Sequence, residues 1–217
     1  MSTRKSKVAV IGVGKIGKVV AANLVKGNRP VILASRKLND ARVLAQELGS
    51  LATAAEIPAA IKEADIIVLA VWFASIKEML VKYSAEFQGK TVVDPSNPIA
   101  PDGKGGFKKI IGEQESAGQI IADILPRGAK LAKAFGTLAA GSLAEAAHKK
   151  PEAAVLFYAT DDSSVNGEME ALIKDSGFEP LPIGKIDQSI RIEVFGDLHE
   201  FGTLGRTVTL NEAKTKV

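Results

Sequence analysis

The chain has 217 residues, and its content of 46% hydrophobic, 24% charged and 5% aromatic residues is typical of a globular domain with one core. It contains no cysteine, which excludes disulfides, thiolate metal sites and cysteine nucleophiles and is compatible with the cytoplasmic location that we predict. The net charge of +3 indicates a solvated lysine-rich surface first, and an anionic ligand or nucleic acid as the alternatives.

The N-terminal segment MSTRKSK is short, polar and basic, and it leads directly into a strand-like run. We therefore expect no signal peptide. The longest apolar stretch, IIVLAVWFASI, is too short for a membrane-spanning helix. We expect neither a membrane nor a nucleic-acid partner.

Strands and helices alternate along the first half of the chain. Short apolar runs predict strands, and amphipathic stretches predict helices. Thr53 and Glu56 have the spacing of a capping box that opens a short helix. The predicted strands are 7–12, 30–35, 65–71 and 90–95, and the predicted helices are 15–27, 38–49, 53–64 and 74–82.

The second half begins with a loop of about twenty residues, a length that is usually functional or mobile in a compact domain. Ser116 with Gln119 and Ser142 with Glu145 predict two further helix starts. The predicted strands are 129–135, 153–160 and 178–184, and the predicted helices are 116–125, a short one at 142, one from Asp161 or Asp162 to 176, and one at about 187–200 before a loose tail.

This alternation predicts an α/β fold of the Rossmann type, with a doubly wound, mainly parallel sheet. The chain shows no linker composition. We therefore predict a single domain over residues 1–217, of which 185–217 form a small C-terminal extension.

A glycine-rich turn follows the first predicted strand. Gly12, Gly14 and Gly17 have the G-x-G-x-x-G spacing and open the first predicted helix, which is the context that a dinucleotide site requires. The first glycine permits a tight turn, the second lets a pyrophosphate approach the backbone, and the third lets helix and strand pack closely. The alternative is a glycine-rich turn without a ligand.

The second predicted strand ends in Ser35, Arg36 and Lys37, where a site selective for NAD has a carboxylate. Arginine forks onto phosphate oxygens, serine donates a hydrogen bond, and lysine adds positive charge. This favours NADP over NAD. The alternative is that Arg36 and Lys37 only begin a solvated helix, on which Asp40 is the nearest acid.

Other polar residues give weaker signals. Asp94, Ser96 and Asn97 follow a predicted strand, where ligands bind in doubly wound sheets, although a plain turn would have the same composition. Of the two histidines, His148 is predicted to be inert, and His199 could reach a substrate or serve the structure. No cluster has metal-ligand spacing, so we predict no metal site.

The blocks VIGVGKIGKVVAANLVKGNRPVILASRK, ADIIVLAVWFASIKE, GKTVVDPSNPI, ESAGQIIADILP and AKLAKAFGTL, in this order and spacing, resemble the NADPH-dependent reductases of the deazaflavin coenzyme F-420. The resemblance extends over roughly residues 7–185. A related domain occurs in the cytoplasmic part of STEAP-type ferric reductases. The resemblance implies an NADP-dependent oxidoreductase that transfers hydride between NADP(H) and coenzyme F-420 or a flavin (FMN or FAD).

In that family the glycine turn holds the pyrophosphate, and the second strand end holds the 2′-phosphate. The segment after the strand 65–71 lies along the nicotinamide, and the strand end KAFGTLAA lies beside it, near the acceptor ring. The cofactor-binding residues predicted here are Gly12, Val13, Gly14, Lys15, Ile16, Gly17, Ser35, Arg36, Lys37, Ala70, Val71, Trp72, Phe73, Ser96 and Asn97. The predicted acceptor-binding residues are Phe135, Gly136, Thr137, Leu138 and His199.

Two features depart from the family pattern. Many relatives have Phe-Asn-Thr where this chain has Phe135-Gly136-Thr137, and the C-terminal FGDLHEFGTLG replaces a longer apolar helix of archaeal members. Both departures concern the part of the site that would bind the hydride acceptor. From the residues alone, Trp72 and Phe73 could stack on a ring or simply pack in the core.

Hydride transfer between two stacked rings demands no catalytic acid or base, and we predict none. No Tyr-x-x-x-Lys pair is present, which argues against a short-chain alcohol dehydrogenase. One alternative is a non-catalytic NADP(H) sensor or partner subunit, and a less favoured one is an imine- or hydroxyacid-type reductase. The expected partner is a small-molecule redox acceptor. The sequence leaves open whether the chain forms a homodimer.

Overall fold

Ten strands and eight α-helices form in residues 5–217, the part of the chain that this computed structural model describes. Residues 1–4, part of the segment for which we expect no signal peptide, lie outside it. The strands are β1 (Val8–Ile11), β2 (Val31–Ala34), β3 (Ala52–Ala54), β4 (Ile66–Leu69), β5 (Thr91–Asp94), β6 (Ile99–Pro101), β7 (Phe107–Lys109), β8 (Lys130–Ala134), β9 (Val155–Thr160) and β10 (Glu179–Pro182). The helices are α1 (Lys15–Lys26), α2 (Leu38–Leu48), α3 (Ile57–Glu63), α4 (Phe73–Lys82), α5 (Ala117–Asp123), α6 (Ala140–Ala146), α7 (Asn166–Asp175) and α8 (Leu210–Ala213). None of these helices combines the length and the apolar character that are needed to cross a membrane.

Eight strands form one sheet in the order β10-β9-β8-β5-β4-β1-β2-β3. Every neighbouring pair is parallel except β8 and β9, which are antiparallel. The prediction of a doubly wound, mainly parallel sheet is therefore confirmed. The chain leaves β1 toward β2 on one side and returns to β4 on the other, so the switch point lies between β1 and β4. Ligands bind at such a point, outside the carboxyl ends of the strands.

Helices cover both faces of the sheet. Strand residues alternate between the faces: Val8, Val10 and Val68 pack under α1, α2, α6 and α7. Ala9 and Ile67 pack under α3, α4 and α5. Because the central strands are buried on both faces, their residues form the continuous apolar runs that made them recognisable in the sequence.

The C-terminal extension covers the outer face of β9, where no α-helix layer of residues 5–184 packs. Its apolar residues Ile192, Leu198, Val208 and Ala213 form a third cluster with the outer face of that strand. The predicted helix at 187–200 is wrong. A 3₁₀-helix spans Ile186–Arg191, and the chain then folds back so that the N–H of Leu198 donates to the carbonyl of Arg191. A short helix, α8, ends the chain, and it starts with a capping box formed by Thr209 and Glu212.

Three local predictions also need correction. Thr53 does not cap a helix, because it lies in β3 and pairs with Ile32 of β2; α3 starts after Glu56, with a proline in its first turn. Ser142 lies inside α6, whose first N–H groups follow Ala139. The loop after β5 contains the antiparallel hairpin β6–β7. The start of α5 is as predicted, since the Ser116 hydroxyl accepts from the N–H of Gln119.

Candidate functional site

The glycine turn draws three strand ends together. Gly12 follows β1 with φ of 100°, in the left-handed region that favours glycine, and its N–H donates to the carbonyl of Ala34 at the end of β2. A Cβ on Gly12 would lie 2.3 Å from the carbonyl oxygen of Ala70, just after β4. The protein itself therefore requires a glycine at this position.

The other two glycines of the motif differ in their surroundings. A Cβ on Gly17 would lie 1.8 Å from the carbonyl oxygen of Gly12, so this glycine lets α1 pack against the turn. A Cβ on Gly14 would have no atom of residues 5–217 within 4 Å, and its φ of −74° suits any residue. No contact within these residues requires a glycine at Gly14.

The first turn of α1 faces the same space. Gly14 is its N-cap, no side chain of residues 5–217 accepts a hydrogen bond from its first N–H groups, and its first turn has no acidic residue. Lys15 is exposed beside it, and Val13 and Ile16 pack partly against the core. The positive end of the helix dipole and free N–H groups therefore meet at an open position that suits an anion.

Two cations stand at the neighbouring strand end. Arg36 and Lys37 are exposed, and within residues 5–217 neither side chain forms an ion pair or a hydrogen bond. The Ser35 hydroxyl donates to the carbonyl of Lys37 at 2.8 Å and accepts from its N–H at 3.1 Å. In this structure Ser35 therefore shapes the turn that presents the two cations, and its donor is already in use.

Of the two aromatic rings that follow β4, one is exposed and the other is buried. Trp72 is 59% exposed and forms the N-cap of α4, whereas Phe73 is buried in the core under that helix. Ala70 and Val71 lie against Gly12. Of the two aromatic residues proposed for ring stacking, only Trp72 is free to contact a ligand.

The ends of β5 and β8 lie side by side. A Cβ on Gly136 would lie 2.8 Å from the carbonyl oxygen of Pro95, and the Asn97 amide donates to the carbonyl of Gly136 at 2.9 Å. A side chain at Gly136 would thus force these ends apart, which explains physically why this chain has glycine there. The hydroxyls of Ser96 and Thr137 are both buried, and neither has a hydrogen-bond partner in the described chain.

The C-terminal extension closes over these two strand ends. The N–H of Val194 donates to the Asn97 side chain at 2.7 Å, and the N–H of Glu200 donates to the carbonyl of Thr137 at 3.1 Å. The Glu200 carboxylate accepts from the N–H of Ala139 and so takes the capping role that we predicted for Ser142. The extension is therefore tied to the candidate site at Val194 and at Glu200.

His199 lies in this covering segment and is 2% exposed. Its Nδ1 accepts from the N–H of Phe201 at 2.9 Å, which leaves the proton of the neutral ring on Nε2. Burial lowers the pKa of His199, and the nearby Glu200 carboxylate and Gly136 carbonyl only partly oppose this. The ring is therefore neutral at physiological pH and can act as a hydrogen-bond donor, not as a fixed charge.

Sequence reasoning missed a buried ionic cluster beneath the same strand ends. The Lys133 ammonium lies 2.7 Å from the Asp94 carboxylate, 3.8 Å from the Glu193 carboxylate and in hydrogen-bonding contact with the carbonyl of Ser96. All three charged side chains are at most 2% exposed. A lysine inside the apolar run KLAKAF was a usable signal, because a buried charge needs a partner.

The structure brings most of the predicted residues to one edge of the sheet. The glycine turn, the end of β2, residues 70–72, residues 96–97 and residues 135–138 all follow parallel strands at their carboxyl ends. His199 reaches this edge through the C-terminal extension. Several predicted residues are buried or already occupied. The rings of Phe73 and Phe135 are in the core, the Ser35 hydroxyl serves its own turn, and the Asn97 amide pairs with Gly136 and Val194.

Comparison with known proteins confirms the resemblance over the first part of the chain. Residues 7–98 match the family model of NADP oxidoreductases described as coenzyme F420-dependent. The matched segment contains the glycine turn and the Ser35–Lys37 turn. A comparison with curated proteins finds no match.

Solved structures share the fold over most of the chain. A hypothetical protein of Sinorhizobium meliloti is 26% identical, with 94% of this chain and 95% of that one covered and a TM-score of 0.81. A protein of Arthrobacter sp. FB24, provisionally described as an F420-dependent NADP reductase, is 21% identical, with coverage of 85% and 87% and a TM-score of 0.72. A reductive aminase of Aspergillus terreus, solved with NADPH and ethyl levulinate, is 21% identical, with 85% of this chain but 56% of that one covered and a TM-score of 0.63.

Proposed function

We propose that this chain, whose residues 7–98 match an NADP-dependent oxidoreductase family, is an enzyme that transfers hydride between NADP(H) and a deazaflavin (coenzyme F-420) or flavin acceptor. One observation carries the proposal. At the switch point of the sheet, the open position at Gly14 lies one strand away from the exposed cations Arg36 and Lys37. This spacing suits the two anionic parts of NADP.

The pyrophosphate would lie at the start of α1. A glycine at Gly14 has no steric cause within the protein, so a ligand that approaches the backbone is its best explanation. The N–H groups of the first helical turn would donate to phosphate oxygens, and Lys15 adds positive charge at the rim. The residues present therefore fit a dinucleotide.

The 2′-phosphate would lie at the end of β2. Arg36 can donate two parallel hydrogen bonds to phosphate oxygens, and Lys37 can add a point charge. The Ser35 hydroxyl holds the backbone between them in shape. Asp40 is exposed in the first turn of α2, so no carboxylate stands at the strand end to repel the phosphate.

The nicotinamide would extend across the switch point toward β4, β5 and β8. The unpartnered hydroxyls of Ser96 and Thr137 each carry a desolvation cost of about 1–3 kcal/mol, which a polar ligand group would relieve. A ring carboxamide can both donate and accept, as these hydroxyls can. The exposed Trp72 offers an aromatic surface beside them.

The redox chemistry itself belongs to the ligands, because bound NADPH supplies the hydride. The chain has to hold two rings in contact and keep water away from them. Phe135 and Leu138 are buried at the β8 end, and the C-terminal extension covers that end from outside. The neutral His199 can donate a hydrogen bond from Nε2 to the carbonyl of Gly136, at the strand end beside which the acceptor would lie.

The proposal is tested in two steps. Binding of NADPH and NADH is compared by calorimetry, and we expect tight binding of NADPH only. The protein is then mixed with NADPH and each acceptor in turn (coenzyme F-420, FMN, FAD and ferric chelates), and loss of the near-ultraviolet absorbance of NADPH is followed. Turnover with none of them, despite NADPH binding, would contradict the enzymatic proposal.

A non-catalytic role is the second candidate. It draws on Gly136, which offers no side chain to an acceptor, and on the extension that covers the β8 end. This role predicts that NADPH binds and changes the affinity for a partner protein, without hydride transfer to any acceptor. Pull-down experiments with and without NADPH distinguish the two candidates.

A further inference from the structure

The buried cluster beneath the candidate site has an unusual composition. The Lys133 ammonium, its one cation among residues 5–217, is 1% exposed and contacts the carboxylates of Asp94 and Glu193. Glu193 also accepts from the N–H groups of Ala117 and Gly118 at the start of α5. The cluster thus joins β5, β8, α5 and the C-terminal extension at one point.

Stability alone is a poor explanation for such a cluster. Removing charges from water costs several kcal/mol per ion, and well-packed apolar residues are often as stabilising as a buried ion pair. A buried pair can instead fix one geometry among several. The question is which part of the molecule this cluster fixes.

The hydrogen bonds single out Ser96. Its N–H donates to Asp94 at 2.7 Å, and its carbonyl accepts from the Lys133 ammonium. Both main-chain groups are therefore held from below by the pair, and the next residue, Asn97, is held on both sides by its amide. Among the polar groups of Ser96, the hydroxyl alone has no partner within residues 5–217.

We propose that Lys133 is a positioning residue that, together with Asp94, holds the main chain of Ser96 so that its hydroxyl is presented to the nicotinamide end of the bound dinucleotide. The proposal rests on the proposed function, since it assumes that NADP binds at this edge. It adds a separate claim, because the adenosine end lies at β2 and makes no use of Ser96. Removing the Lys133–Asp94 pair should therefore weaken only the contacts that the protein makes with the nicotinamide end of the ligand.

Two ligands separate these ends. NADPH contains the nicotinamide, whereas 2′,5′-ADP contains the 2′-phosphate and adenosine and lacks the nicotinamide. Dissociation constants for both are measured by calorimetry on the wild type, Ser96→Ala, the charge-balanced variant Asp94→Asn/Lys133→Met, and the triple variant that combines these changes. Lys130→Met, at the other end of the same strand, is the matched control.

We expect Ser96→Ala to raise the dissociation constant of NADPH about threefold to tenfold, the equivalent of one hydrogen bond, and to leave that of 2′,5′-ADP unchanged. The Asp94→Asn/Lys133→Met variant should show the same selective loss. In the triple variant the losses should not add, because both changes act through one hydroxyl. Lys130→Met should change neither constant.

Several results would overturn the inference. Equal weakening of both ligands would mean that the pair only supports the fold, and additive losses would mean that Lys133 acts apart from Ser96. An unchanged NADPH affinity in Ser96→Ala would be decisive even if the Lys133 variants fail to fold. A wild type that binds neither ligand would instead refute the proposed NADP site, which is a different outcome.

Discussion

A methyl group on Gly17 would lie 1.8 Å from the carbonyl oxygen of Gly12, whereas one on Gly14 would touch no atom of residues 5–217. The two glycines stand three residues apart in the same motif, and yet only one of them is required by packing. This difference separates the part of the motif that serves the fold from the part that serves a ligand.

The first prediction uses this contrast. Gly14→Ala should lower the melting temperature only slightly, since its surroundings are open and alanine is merely a poorer N-cap than glycine, but it should abolish NADPH binding. Gly17→Ala should lower the free energy of unfolding by about 1–3 kcal/mol, because α1 must shift away from the turn. Thermal melts and calorimetry measure the two effects. Unimpaired NADPH binding by Gly14→Ala would remove the pyrophosphate from this position.

The second prediction concerns the choice of cofactor. Arg36→Asp should weaken NADPH binding by roughly 2–4 kcal/mol, because it removes charged hydrogen bonds and adds a repulsive carboxylate. The affinity for NADH should not fall. Arg127→Asp makes the same charge change at an exposed position before β8, at the opposite edge of the sheet, and should have little effect. Equal NADPH affinity in wild type and Arg36→Asp would argue against a 2′-phosphate site at this strand end.

Trp72 provides a direct report on the location of the site, because it is the chain's one tryptophan and is 59% exposed at the end of β4. Its emission overlaps the absorption of reduced nicotinamide, so we expect NADPH to quench it by energy transfer. The oxidised NADP should quench it far less, and 2′,5′-ADP should serve as the ligand control. If saturating NADPH left the Trp72 emission unchanged, the reduced nicotinamide ring would lie away from the end of β4.

The architecture follows from patterns that are local in the sequence. Apolar runs such as Val8–Ile11 and Ile66–Leu69 are buried on both faces. The glycines after β1 indicate a tight turn and a helix that packs closely against it. Strand and helix order then leaves few topologies. This is why the sheet and the edge that carries the site could be predicted from the sequence.

The parts that could not be predicted depend on contacts between distant residues. Lys133 meets Asp94 only because β8 pairs with β5 in a particular register, and Glu200 caps α6 from 61 positions away. The predicted caps at Thr53 and Ser142 failed for the same reason, since strand pairing and a remote carboxylate overrode the local pattern. Ser35 shows a further limit, because a hydroxyl that suits a phosphate equally suits its own turn.

We propose that residues 5–217 fold as one cooperative unit, and Asn97 tests this. Its amide joins the β8 end to the C-terminal extension through Gly136 and Val194. Asn97→Ala should lower the free energy of unfolding by about 1–3 kcal/mol and keep a single transition in thermal and chemical denaturation. Asn211→Ala, on the exposed side of α8, is the control and should be close to neutral. Two separate transitions in the wild type would contradict the single unit.

The last prediction follows from His199. Burial lowers its pKa in the folded protein below the ordinary value of 6.5, so the unfolded chain binds more protons as the pH falls below that value. The stability linked to this residue is therefore complete above pH 6.5 and is lost as the pH falls toward the folded pKa. His199→Asn keeps an acceptor for the N–H of Phe201 and cannot be protonated, so its stability should fall less steeply on acidification. Urea denaturation of both proteins at a series of pH values below neutrality measures the difference. Parallel pH profiles for the two proteins would mean that His199 is not held neutral by the fold.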